Sequence, residues 1–408
     1  MSANAPPRSN GHTKQPRIAA VVSTCYKYSH AQNFVDRFLE GYGWNGRHHR
    51  PAMDLVSLYV DQVDDRDLSA EREVRFPQLV RYPTIADALT LGGNELAVDG
   101  VLLIAEHGDY PVNEKGQILW PRYEFFRQIV AVFRASGRAV PVFNDKHLSW
   151  NWEWAKEMYD TARELDFPFM AGSSLPVTWR TPSVDMPLGT EIEEAICVGG
   201  GWLDGGDFHG FETIQCMVER RLGGETGVNW LRAYGGDDFW QAHAEGRWSG
   251  ELFAAGLCRS HQLNPGRAGF NHIFPTIDEM RRQVADPWAY QYEHTDGILC
   301  TLIVLSGLVG DLNFAARLRG REEPLSTQFY LPSPPAHTTL ASFFSPLVNN
   351  IEAMFLSSQA TYPVERTLLT TGLTAAAVDS VFREQAKIPT PHLAISYRPN
   401  PESTYWRS

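Results

Sequence analysis

VDGVLLIAEHGDYP, residues 98–111, is a short apolar run that breaks abruptly into Glu, His and Asp. A continuous apolar run of this length reads as a strand buried on both faces, the habit of parallel sheets. Two other segments have the same form, VVSTCYKYSH at 21–30 and AVPVFNDKHLS at 139–149. Ligands of a doubly wound sheet bind beyond the carboxyl ends of its strands. The pattern therefore sets His30, Glu106, His107, Asp109, Asp145, Lys146 and His147 along one potential crevice.

Around these strands the chain alternates regularly. Residues 30–42 carry Phe34, Val35 and Phe38 at helical spacing; MDLVSLYVD (53–61) reads as a strand, RYEFFRQIVAVFRASG (122–137) and WEWAKEMYDTARELDF (152–167) as helices, and FPFMAGS (167–173) as a last strand. Such alternation predicts an α/β architecture, a Rossmann-like doubly wound parallel sheet over 17–182. Beyond it EEAICVGGG (193–201), GVNWLRAYG (227–235), GILCTLIVLSG (297–307) and STQFYLP (326–332) read as strands around a helix at 207–224. This predicts an α+β domain with an open, mainly antiparallel sheet over 183–408. Residues 1–16, rich in Pro, Ser and Asn, read as a disordered tail without a signal core.

Bulk composition narrows the function. The 408 residues hold 36 basic and 48 acidic side chains, a net charge of −12, which argues against nucleic acid or anionic membranes as partners. The five cysteines form no CxxC pair, so a cytoplasmic protein with reduced thiols is expected. A small-molecule substrate is the simpler expectation.

Three segments, RYPTIADALTLGGNELAVDGVLLIAEHGDYP (81–111), GRAVPVFNDKHLS (137–149) and WAKEMYDTARELDFPFMAGSS (154–174), are followed by GGGWLDGGDFHGFETIQCMV (199–218). In order and spacing this series resembles the glucose-fructose oxidoreductase, inositol dehydrogenase and MocA family. The resemblance implies an oxidoreductase acting on a small hydroxylated, sugar- or polyol-like substrate in the interdomain cleft. It implies NAD(P) on the first domain, and a second domain whose sheet faces the cofactor and packs against another subunit, giving a homo-oligomer. Lys146 and His209 match the family residues that move the substrate oxygen's proton, with Asp145 before the lysine and Glu212 after the histidine.

The departures are specific. The family's G-x-G-x-x-G lets the backbone approach the pyrophosphate closely; here Ser23-Thr24-Cys25-Tyr26-Lys27-Tyr28 stands in its place. Ser23, Thr24, Asp61 at the adenosine ribose and Glu106 remain the candidate cofactor contacts, and weak or absent NAD(P) binding is expected. Asp145-Lys146-His147 replaces Glu-Lys-Pro, and Asp204 lies one residue further from His209 than in the family. An alternative follows from the histidines: imidazole and carboxylate suit a divalent first-row metal, and His30, His107, Asp109 and His147 are the candidate ligands. A noncatalytic ligand-binding or scaffold protein is the third reading. His48 and His49 are expected in a solvated loop, Trp152 in packing, and Arg366 in a salt bridge within the fold.

Overall fold

The computed structural model describes residues 15–263, 274–332 and 340–407; all but the last two residues of the expected N-terminal tail lie outside them. The first sheet has six strands: β1 (Arg17–Val22), β2 (Asp54–Val60), β3 (Val80–Arg81), β4 (Gly100–Ile104), β5 (Val142–Asp145) and β6 (Phe169–Gly172). Every pairing is parallel, and the order is β3-β2-β1-β4-β5-β6. The direction of winding reverses between β1 and β4, so the loops that leave these two strands bound the crevice.

Both faces of this sheet are covered, which is why β1 and β4 are apolar without alternation. Helices α2 (Ile85–Thr90), α3 (Arg122–Ser136) and α4 (Trp152–Glu164) cover one face through Ile85, Phe126, Ile129, Phe133 and Met158. Helix α1 (His30–Glu40) covers the other, packing Phe34, Val35 and Phe38 inward. It begins where the chain supplies an N-cap, with Ser29 Oγ accepting from the Gln32 N–H at 3.1 Å.

The second sheet has eight strands: β7 (Arg180–Thr181), β8 (Ile192–Gly199), β9 (Val228–Gly235), β10 (Trp288–His294), β11 (Leu299–Val304), β12 (Leu312–Leu318), β13 (Leu325–Phe329) and β14 (Ile388–Pro389). Their order is β14-β9-β10-β11-β8-β12-β13-β7, antiparallel except for the β8–β11 pair. Four of these strands were expected; WAYQYEH, LNFAARL and the two-residue β7 and β14 were not. In the two longer strands polar residues find partners far along the chain: Gln291 donates to the Arg247 carbonyl and Asn313 to the Val198 carbonyl.

Helix α5 (Asp207–Val218) lies against the inner face of this sheet, with Phe211 and Ile214 in its core. Helices Asp237–Ala244 and Gly250–Leu257 pack Phe239, Trp240, Leu252 and Phe253 on the outer face against Ile196, Val198 and Ile303. Part of the surface through which self-association was expected is thus covered by the chain itself. After this sheet, α6 (Phe344–Ser357) packs beside α1, and α7 (Glu365–Phe382) runs against α5. Chain order and packing therefore do not share one boundary at 182/183. The hairpin Tyr42–Trp44 and Arg47–His49 docks on α6, where His49 Nε2 lies 2.7 Å from Glu352, so His49 is not simply solvated.

Trp152 packs in the joint between the two sheets, beside Gly372 of α7. A methyl on Gly372 would sit 2.8 Å from Trp152 Cζ3 and closer still to Leu393. Gly372→Ala is therefore expected to cost about 1–3 kcal/mol through overpacking, despite alanine's better helix propensity. Chemical denaturation checks this, and a variant as stable as the parent would mean that the joint yields freely.

Candidate active site

Lys146 follows β5 with a backbone φ of 68°, a left-handed conformation that costs a residue with a Cβ some energy. Its N–H donates to the Gly172 carbonyl at 3.2 Å. The side chain is buried, with Nζ 2.5 Å from His209 Nε2 and 3.5 Å from Glu106 Oε1. Glu106 also forms an ion pair with Arg122, which is fully buried at the start of α3. Burial pushes the Glu106 carboxyl up, but the Lys146 and Arg122 cations more than reverse this and hold it below its ordinary value. The carboxylate between two cations is thus kept ionised.

Burial, reinforced by Lys146, drives His209 well below the ordinary imidazole value, so it is neutral near pH 7. The Lys146 ammonium can then donate to the Nε2 lone pair, leaving the histidine proton on Nδ1. Nδ1 lies 3.8 Å from Glu212 Oε2. Glu212 accepts from the Ser173 N–H at 3.0 Å and from its hydroxyl. Burial still pushes its carboxyl up to about 7. Glu212, His209 and Lys146 form a line of titratable groups across the joint between the sheets.

A second pair stands beside the first. His30, the first residue of α1, places Nδ1 2.7 Å from Asp145 Oδ2. Burial raises Asp145 to about 6 and lowers His30 well below its ordinary value, with Lys146 opposing the first shift and adding to the second. His30, Asp145, Lys146 and His209 line one cavity of about 230 Å³, closed by Ser173, Gly200, Trp202 and Phe344 among others. Trp202 lines it while remaining 61% exposed.

The structure brings Lys146, His209 and Asp145 together. The expected metal set is corrected. Asp109 is exposed beyond the Gly108 turn; His147 points its Nε2 to Arg122 at 3.1 Å, with Asp204 3.8 Å away; His107 packs its ring on Tyr26 and His30. Asp145 and His147 leave opposite sides of the left-handed Lys146, so the strand-end side chains diverge. Among the described residues no group of three His, Cys, Asp or Glu side chains could hold a metal ion.

The dinucleotide contacts are also taken up internally. Ser23 Oγ donates to the Glu106 carbonyl at 3.0 Å, and Thr24 is buried. The Tyr26 N–H donates to Ser29 Oγ at 3.2 Å and the Tyr28 N–H to Gln32 Oε1 at 2.5 Å. Asp61 accepts from the hydroxyls of Tyr59 and Tyr110, both at 2.8 Å. These residues do not fit a dinucleotide in the pose that a glycine loop allows, because side chains occupy the turn and the Tyr26 and Tyr28 N–H groups are already bonded. The sequence pointed to Lys146, His209 and Asp145, but not to Arg122, which stood in an apparently ordinary aromatic helix, nor to Trp202. Arg366 is in an internal ion pair with Glu219, as expected.

No family model and no curated protein sequence matches the chain. Solved structures do. GenD2 from gentamicin A biosynthesis, in complex with NAD, matches 95% of this chain and 99% of its own at 13% identity and a TM-score of 0.56. A putative myo-inositol dehydrogenase from Sinorhizobium meliloti matches 92% and 99% at 12% identity and 0.55. The myo-inositol dehydrogenase of Lactobacillus casei, in complex with NAD(H) and myo-inositol, matches 92% and 96% at 10% identity and 0.52. With its parallel six-stranded sheet, its mixed eight-stranded sheet and these neighbours, the chain has the fold of the glucose-fructose oxidoreductase, inositol dehydrogenase and MocA type.

Proposed function

We propose that the protein is an enzyme that acts at a hydroxyl-bearing or carbonyl carbon of a small sugar- or polyol-like substrate, with the proton-handling half of an oxidoreductase site. The observation that carries this is the Lys146–His209 contact of 2.5 Å in the wall of a cavity of about 230 Å³. A neutral imidazole in contact with an ammonium can exchange one proton with a substrate oxygen that comes within hydrogen-bond reach of the pair. The Lys146 charge, anchored by Glu106, stabilises negative charge on that oxygen; His209 receives or returns the proton; Glu212 lies behind it. The neighbours crystallised with NAD and with myo-inositol support the substrate class and the oxidoreductase reading. NAD(P) would supply hydride chemistry, but the loop after β1 does not fit it in the usual pose, so the steps derived from these residues are proton movements.

Several measurements bear on this reading. Lys146→Met keeps the apolar stem and is expected to lower turnover about 100-fold or more while the protein stays folded; unchanged turnover would remove Lys146 from the chemistry. Titration calorimetry with NAD and NADP is expected to give a Kd in the high micromolar range or weaker, and low-micromolar binding would restore the dinucleotide. Exposed Trp202 offers an aromatic face for a sugar ring, a contact of about 0.5–1.5 kcal/mol. Trp202→Ala should weaken sugar binding about twofold to tenfold and leave the melting temperature nearly unchanged, whereas equal affinities would exclude the stacking role.

Glu212 gives a pH signature. Its carboxyl holds a proton more tightly in the folded protein than in the unfolded chain, so its contribution to stability is lost as pH rises from the ordinary 4.5 to about 7. Glu212→Gln cannot ionise and escapes this loss. Melting temperatures across that window should move in the variant's favour and then run parallel above about pH 7; a constant difference throughout would place the Glu212 carboxyl at an ordinary value.

A further inference from the structure

We propose that His30 and Asp145 form a second acid–base pair facing Lys146 and His209, and that the two pairs together isomerise an α-hydroxycarbonyl sugar through an enediol, with no hydride acceptor. The inference rests on the reading of the cavity as a sugar site and extends it to a reaction class. Three observations carry it. Both pairs line the same cavity, one from the end of β5 and α1, the other from the turn after β5 and α5. The 2.7 Å bond from Nδ1 to Asp145 fixes the ring of His30, and no described protein group bonds its Nε2. Asp145 is fully buried, yet its Oδ1 has no hydrogen-bond partner among the described residues.

A buried carboxylate that holds a histidine by one nitrogen sets the tautomer and leaves the other nitrogen as a base. The internal capping of the β1–α1 turn is the complementary fact. Redox chemistry needs an electron acceptor that this turn is not shaped to hold, whereas an isomerisation needs none.

The atoms balance without one. His30 Nε2 removes the proton from the carbon that bears the hydroxyl, and the released electron pair forms the carbon–carbon double bond. The carbonyl π pair moves to its oxygen, which takes a proton from Lys146 Nζ. In the second half Lys146, relayed by His209, takes the proton of the neighbouring hydroxyl; that oxygen becomes the carbonyl, and His30 returns its proton to the adjacent carbon. Both pairs end as they began, and an aldose has become a ketose. His30 and Lys146 would be catalytic residues, and Asp145 a positioning residue.

The test uses the full chain without added nucleotide. D-glucose, D-fructose and D-xylose are incubated with it in D2O, with myo-inositol, which has no carbonyl, as the control, and binding of each is measured by calorimetry. Deuterium at the carbon next to the carbonyl, together with aldose–ketose interconversion seen by NMR, is the expected result, with none in myo-inositol. His30→Asn retains a group able to bond Asp145 but supplies no base, and should slow exchange about 100-fold or more with sugar affinity unchanged. Asp145→Asn should lower kcat while leaving KM near the parent value, a split that a merely structural role would not produce. Sugars that bind but do not exchange, or exchange that survives in His30→Asn, would overturn the isomerase inference and leave the sugar site standing. If none of the four compounds binds, both the inference and the reading beneath it fall.

Discussion

The Glu106 carboxylate, buried between Arg122 and Lys146, is the constraint on which the site depends. Taking such charges from water costs several kcal/mol per ion, recovered only when the partners are close and well bonded. Glu106 meets this condition by joining the end of β4 to the start of α3 and to the turn after β5. It gives the buried Lys146 side chain a carboxylate partner at 3.5 Å. Burial, with Lys146 adding to it from across the joint, holds His209 neutral.

The second sheet reaches the site by a similar device. Arg366 of α7 pairs with Glu219 just beyond α5, and the Tyr397 hydroxyl donates to the same carboxylate at 2.8 Å. Nearby, Glu225 bonds both Arg221 and His294. The Arg366–Glu219 pair ties α7 to the end of α5, and α7 also touches the first sheet, where Thr367 Oγ1 donates to the Ala171 carbonyl at 2.7 Å. Gly172 completes the approach: an ideal Cβ there would lie 2.5 Å from Glu212 Oε1, so the end of β6 can meet α5 only without a side chain. His209 is carried to Lys146 by this packing.

A fold usually associated with dinucleotides here has a β1–α1 turn built from side chains. Ser29 caps α1, Gln32 binds the Tyr28 amide, and Tyr26 packs on His107. Tyr28, His107 and Lys146 all have positive φ, at 73°, 72° and 68°. Backbone strain of this kind persists only where the surroundings over-determine it, and here it falls in the loops that leave β1, β4 and β5.

Much of this was legible locally. Apolar runs ending in charged residues specified the parallel sheet and its crevice, because burial on both faces leaves a period-free signature that no tertiary detail is needed to read. The family resemblance carried by Asp145-Lys146-His147 and His209 pointed to Lys146 and His209, which lie in contact. Among the missed elements, β10 and β12 have polar side chains satisfied at a distance: Gln291 and Asn313 look too polar for a core when the Arg247 and Val198 carbonyls are unseen. Direction was equally invisible. Whether His147 turns to Arg122 or His30 to Asp145, and whether Asp109 stays in solvent, depends on a left-handed Lys146 and on α6 packing Phe344 against His30. The sequence by itself determined which chemical groups gather at the strand ends; only tertiary structure decided which of them face one another, because side-chain direction at a strand end is set by long-range contacts and not by neighbours in the chain.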